Sequence, residues 1–119
     1  PDPFNRNWLA GYLNGIKEFW SANNYHPVVV NEYGVHRWVP GAAEFMDDEM
    51  SLFEELGVNY ALWYWCPDWE PLLSKQSYFT FTYGSNPESH SDVPNELQDI
   101  ITKYWRLNYV RPSHPLPEL

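Results

Sequence analysis

Two short apolar runs, residues 27–34 and 58–65, stand between three segments with helical periodicity. The first run holds three consecutive valines without polar alternation, which is typical of a parallel strand covered on both faces. The order helix, strand, helix, strand, helix predicts an α/β fold with parallel strands. Two parallel strands cannot close a sheet, so we expect this fold to be part of a larger structure or of an oligomer.

The helices are predicted from apolar stripes whose members are spaced three and four residues apart. The first begins after Asn5, a suitable N-cap, and ends at residues 21–24. The second spans residues 42–56, and the third spans residues 93–107 with Asp92 as its cap. Helices of this length, packed against two strands, are enough for one modest core.

Acidic side chains outnumber basic ones by 16 to 7, and the formal net charge is -9. A nucleic-acid partner or an anionic membrane surface is therefore not expected, because both require a basic face. No segment approaches the ~20 apolar residues that span a bilayer. A neutral substrate is compatible with this charge, although acidity also serves solubility alone.

Aromatic residues make up 18 % of the chain, with seven Trp and nine Tyr. Their rings fill protein cores, and their flat apolar faces also suit the C–H faces of sugar rings. Composition alone does not separate these two uses. It makes a carbohydrate site worth testing against the positions of individual residues.

The sequence offers no metal or cofactor motif. The four histidines are scattered without ligand spacing, and the acidic run 47–49 is interpreted as a solvated helix face. We therefore predict no metal and no cofactor. The single cysteine, Cys66, excludes an intrachain disulfide and does not fix the compartment.

Glu32 lies near the carboxyl end of the first apolar run, two residues before Gly34. In (β/α) barrels the catalytic residues lie at the carboxyl ends of the strands, which makes Glu32 a candidate, with an ordinary strand-end glutamate as the alternative. Trp63 and Trp65 end the second run and share a parity, so both should face the same side. If the strands are neighbours, one of these rings would lie beside Glu32; the alternative is that both fill the core.

The run Val-Val-Val-Asn-Glu-Tyr-Gly-Val at residues 28–35 resembles the seventh-strand motif of glycoside hydrolase family five and its clan. Residues 57–65 resemble the eighth strand of the same enzymes, where a tryptophan ring forms the base of the sugar-binding site. The resemblance covers about residues 6–107. It implies part of a (β/α)8 TIM barrel, with residues 1–110 as the C-terminal portion of a catalytic domain and 111–119 as a proline-rich irregular tail.

The resemblance also implies a function. Glu32 would be the nucleophile of a retaining hydrolase acting on a β-linked glucan or mannan, and Trp63 would be the sugar platform, with Trp65 as the substitute. Trp38 and Trp69, on the loops after the two strands, would line outer subsites. Export from the cell is suggested only by analogy with other polysaccharide hydrolases.

The chain departs from the family pattern in one essential respect. The general acid/base of the family lies in an Asn-Glu pair after the fourth strand, but Asn31-Glu32 belongs to the seventh-strand motif and Asn95-Glu96 lies at a helix start. We expect the remaining strands to come from a longer chain, a second chain or a homo-oligomer, and the isolated chain to be inactive. A non-catalytic carbohydrate-binding protein and a self-associating half-barrel are the alternatives.

Overall fold

The computed structural model describes residues 4–64 and 77–109, excepting the side chains of 108 and 109. The predicted element order is confirmed: α1 (Arg6–Ala22), β1 (Val29–Tyr33), α2 (Ala42–Leu56), β2 (Asn59–Leu62) and α3 (Glu96–Trp105). Single 3-10 turns cover Ser77–Phe79, Phe81–Tyr83 and Arg106–Tyr109. The proline-rich tail predicted at 111–119 lies outside the described residues.

The ends of the first two helices follow from local chemistry. The Asn5 Oδ1 atom accepts hydrogen bonds from the backbone N–H groups of Asn7 (3.0 Å) and Trp8 (3.1 Å), which satisfies two of the unpaired donors of α1. Helix α2 has the predicted bounds. It stops at Gly57, whose φ of 67° is a left-handed conformation that glycine adopts without steric cost.

The start of α3 differs from the prediction. The helix begins at Glu96, and its cap is Asn95, whose side chain accepts from the Gln98 N–H at 3.0 Å, so the prediction of Asp92 was wrong. Pro94 explains the shift, because its ring disfavours a helical backbone in the residue before it. The helix therefore cannot start as early as Val93.

The two strands form one parallel sheet, as predicted. Val30 pairs with Tyr60 and Tyr33 pairs with Leu62, so β1 advances three residues while β2 advances two. This is a β-bulge, in which Asn31 and Glu32 together face a single residue of the partner strand. Strand β2 ends at Leu62, earlier than predicted.

One face of the sheet is covered by helices. The buried core lies between this face, α2, α3 and the second 3-10 turn, and it consists largely of Met46, Met50, Phe53, Val58, Phe81, Leu97, Ile101 and Tyr104. Tyr33 packs edge-on against Phe53 with 5.3 Å between ring centroids. The covered face thus carries the stability of the described residues.

The other face is open, so the prediction of a strand covered on both faces is wrong for this chain. Val29 is 59 % exposed on this face. Helix α1 contacts α2, and its residues Tyr12 and Phe19 are 72 % and 61 % exposed while Leu9 and Leu13 are buried. Only half of the apolar stripe of α1 therefore packs inward. No helix among the described residues is long and apolar enough to cross a membrane.

Candidate functional site

The β-bulge presents Glu32 to solvent at the carboxyl end of β1. Val30 and Tyr33 pair with β2, and the bulge between them holds one extra residue. Asn31 and Glu32, which form this bulge, are both exposed. None of the hydrogen bonds among the described residues involves the Glu32 carboxylate. The predicted candidate is therefore accessible to a ligand, and nothing in the described residues orients it.

Trp63 lies beside this strand end, because β1 and β2 are neighbours in the sheet. Its backbone N–H donates to the Tyr33 carbonyl at 2.8 Å, and its side chain is 43 % exposed. The Trp63–Tyr64 peptide bond is cis, and the two rings meet edge to face at 5.3 Å between centroids. Trp63 is thus an exposed ring one residue beyond β2, at the same end of the sheet as Glu32.

Gly34 is what allows the two strand ends to approach. A Cβ atom at this position would lie 2.6 Å from the Trp63 carbonyl oxygen and 3.3 Å from Phe79 Cδ1. Any side chain would therefore displace the backbone that carries Trp63. The glycine of the Glu-Tyr-Gly motif has a packing reason in this fold.

The other predicted tryptophans divide into two groups. Trp65 and Trp69 lie outside the described residues, so their proposed roles stay predictions. Trp38 is half-buried on the loop between β1 and α2. Its indole ring stands 5.2 Å from the Tyr78 ring, with the planes inclined at 54°.

Trp38 belongs to an aromatic shelf that the sequence did not predict as a unit. The shelf is formed by His36, Trp38, Tyr78 and Phe79. The His36 ring lies 5.2 Å from that of Tyr78 and 5.0 Å from that of Phe79, so one imidazole joins the β1 loop to the first 3-10 turn. Tyr64 continues the row, 6.1 Å from Phe79, toward Trp63.

Arg37 lies under the shelf and is 2 % exposed. Among the described residues, its guanidinium donates to oxygens of the 77–89 segment: Ser77 O (2.8 Å), Ser77 Oγ (3.2 Å), Tyr83 O (3.4 Å), Gly84 O (2.5 Å), Asn86 O (2.6 Å), Pro87 O (3.1 Å) and Ser89 O (3.0 Å). Among the described residues no carboxylate pairs with it. The planar fork of five N–H donors suits this ring of carbonyls.

The environment of Arg37 opposes its charge. Burial lowers the pKa of the guanidinium, and the neighbouring Tyr83 acts in the opposite direction. Carbonyl dipoles replace the lost water, and the Arg37 Cζ atom lies 5.0 Å from the Trp38 ring centroid, which adds a cation–π contact. Arg37 was not predicted as a functional residue, because a single arginine in a loop belongs to no helical or strand pattern of the sequence.

A cleft of about 540 Å³ runs along β1 between α1 and α2, and both Glu32 and Glu49 line it. Glu49 Oε2 and the Tyr33 hydroxyl are buried there without a hydrogen-bond partner in the described residues. Burial raises the pKa of Glu49 to about 7, and burial together with the charge of Glu49 raises the pKa of Tyr33. The interpretation of 47–49 as a solvated face was wrong for Glu49, whose place in the apolar stripe of α2 was the available signal.

A second cleft of about 870 Å³ opens where β1 ends and α2 begins. Val35, Phe45 and Phe79 give it apolar walls, while His36 and Glu44 add polar groups. A cleft with apolar walls and a few polar groups can bind a small ligand, because the walls contact its apolar surface and the polar groups orient it. The aromatic shelf shares His36 and Phe79 with this cleft.

Comparison of the chain with protein-family models, with curated proteins and with solved structures finds no match.

Proposed function

We propose that this chain supplies the nucleophile and the sugar platform of a retaining glycoside hydrolase acting on a β-linked glucan or mannan. The observation that carries the proposal is the pairing of Glu32 and Trp63. Both are exposed at the carboxyl ends of adjacent parallel strands. A carboxylate can attack an anomeric carbon there, while the indole stacks on a sugar ring.

The proposed architecture is a (β/α)8 barrel to which this chain contributes two strands. The open face of β1 and β2 would then face the barrel interior, and the open edge of β1 would pair with another strand. A retaining enzyme needs a second carboxyl group roughly 5 Å from the nucleophile. That group would come from a strand beyond the described residues, in a longer chain, a second chain or another copy.

The test begins with the native assembly that contains this chain, whose intact mass identifies any further subunit. In that assembly Glu32→Gln should abolish turnover of β-linked oligosaccharides and leave their binding intact. The matched control is Glu18→Gln, which neutralises an exposed carboxylate on α1. Turnover that survives Glu32→Gln, or that falls equally in both variants, would refute the role of Glu32.

Non-catalytic carbohydrate binding is the second candidate, and the aromatic shelf favours it. Several rings lie along one end of the molecule, and stacking on them needs no second carboxyl group. In that case the assembly would bind cellohexaose or mannohexaose without turnover, and Glu32→Gln would leave the dissociation constant unchanged. Trp63→Ala would weaken binding under either candidate.

A further inference from the structure

The contacts of Arg37 join the two chain segments that carry the aromatic shelf. Its backbone N–H donates to the Tyr78 carbonyl at 2.8 Å, and its Nε donates to the Ser77 carbonyl at 2.8 Å. Trp38 follows Arg37 in the chain, and Tyr78 follows Ser77. The bonds of one residue therefore determine how far apart the Trp38 and Tyr78 rings stand.

The same guanidinium fixes the rest of the second segment. It donates to the carbonyls of Gly84, Asn86, Pro87 and Ser89, so the chain from 84 to 89 closes around it. Gly84 has a φ of 70°, and a Cβ there would lie 2.7 Å from Val93 Cγ2, so only glycine fits this position without strain. One buried cation thus binds five carbonyls in the second half of the segment and the Ser77 carbonyl at its start.

We propose that Arg37 is a positioning residue, which sets the spacing and inclination of Trp38 and Tyr78 so that the aromatic shelf can stack a pyranose ring of the substrate. This inference rests on the proposed carbohydrate function and adds to it the residue that prepares the outer subsite. Rings held in place before a ligand arrives lose less conformational freedom on binding, which favours affinity. Arg37 touches no sugar in this scheme and acts through the rings beside it.

Lysine cannot take over this role. Its ammonium offers three donors at one point, whereas the arginine fork reaches carbonyls on several sides. The Arg37→Lys variant keeps the positive charge and removes the geometry, so it separates the two contributions. Ser77→Ala is a milder variant, because it removes only the Oγ acceptor at 3.2 Å.

The experiment uses the native assembly that contains this chain, with the tryptophans of the chain labelled with 5-fluorotryptophan and followed by fluorine NMR. Trp38→Phe assigns the Trp38 signal, and Trp20, which packs against Tyr25 on α1, serves as the remote reference. Cellohexaose and mannohexaose are the probes. In Arg37→Lys we expect the Trp38 signal to move, the Trp20 signal to stay, and the dissociation constant of the bound hexaose to rise about tenfold.

Ser77→Ala should give smaller changes of the same sign, and it decides the question if Arg37→Lys does not fold. An unmoved Trp38 signal, or an unchanged dissociation constant, would overturn the positioning role. Equal movement of the Trp38 and Trp20 signals would also overturn it, because a general loss of packing has that effect. A wild-type assembly that binds neither hexaose refutes the proposed function itself, whereas equal binding by the wild-type and Arg37→Lys assemblies refutes only the positioning role.

Discussion

The loop after β1 and the open edge of β1 lie close together in the chain, yet they are packed very differently. In the loop, the Arg37 guanidinium is 2 % exposed, and it finds its acceptors within residues 77–89. At the edge, Tyr12 is 72 % exposed, and the buried oxygens of Tyr33 and Glu49 lack partners in the described residues. Within the described residues the Arg37 guanidinium has its hydrogen-bond acceptors, whereas the buried oxygens of Tyr33 and Glu49 have no partner.

This difference separates two parts of the proposed function. The aromatic shelf stands on the segment that the Arg37 guanidinium binds, so its contribution to sugar stacking can be tested by substitutions at Arg37. Glu32 stands next to the open edge, and among the described carboxylates only Glu49 shares its cleft. The chemistry of Glu32 must therefore be measured in the complete assembly.

The largest loss of stability should come from removing the Arg37 guanidinium. Arg37→Met should lower the free energy of unfolding by about 4 kcal/mol, because several carbonyls around the buried guanidinium lose a charged donor at once. The control is Arg6→Met, which removes an exposed ion pair with Glu55 and should cost less than about 1 kcal/mol. Urea denaturation of both variants makes the comparison. Equal losses in the two variants would mean that the buried hydrogen bonds of Arg37 stabilise the fold no more than the exposed ion pair of Arg6.

Gly34→Ala should come next, with a loss of about 3 kcal/mol in the free energy of unfolding, because its Cβ meets the Trp63 backbone. Gly15→Ala on α1 is the matched control, since a Cβ there meets nothing within 4 Å. That change should stabilise the helix by up to about 1 kcal/mol. If thermal unfolding places the two variants together, the strand ends are not as close as described.

The prediction about Glu49 concerns pH. With a pKa of about 7 in the fold against an ordinary 4.5, the folded chain holds one more proton than the unfolded chain between those values. Stability should therefore fall by about 3 kcal/mol as the pH rises through this range. The Tyr33 hydroxyl stays neutral throughout, because its pKa is raised.

Glu49→Gln tests the assignment directly. This variant should abolish most of the fall in stability between pH 5 and pH 8 in urea titrations, whereas Glu18→Gln should keep it. A slope that survives Glu49→Gln belongs to another group. A slope that vanishes when the chain enters its native assembly would show that a partner covers the open edge and satisfies Glu49.

The sequence predicted those features that depend on near neighbours in the chain. The Asn5 cap, the bounds of α2 and the Gly57 stop follow from local hydrogen bonds and backbone preference, and the valine run identified β1. The bulge that exposes Glu32 and the carbonyl ring around Arg37 were not predictable. Both depend on pairings across many residues, which leave no periodic trace.

The smallest change in stability is expected at the open edge, where a substitution can be compared with one in the buried core. Tyr12→Gln should change the free energy of unfolding by less than about 0.5 kcal/mol, because its ring is 72 % exposed and buries little area. Phe53→Ala, at a core side chain that is only 1 % exposed, should cost about 4 kcal/mol. A large loss in Tyr12→Gln that grows with protein concentration would mean that this ring is already buried between copies of the chain. The edge would then be completed by self-association, and the partner that supplies the second carboxyl group to Glu32 would be another copy.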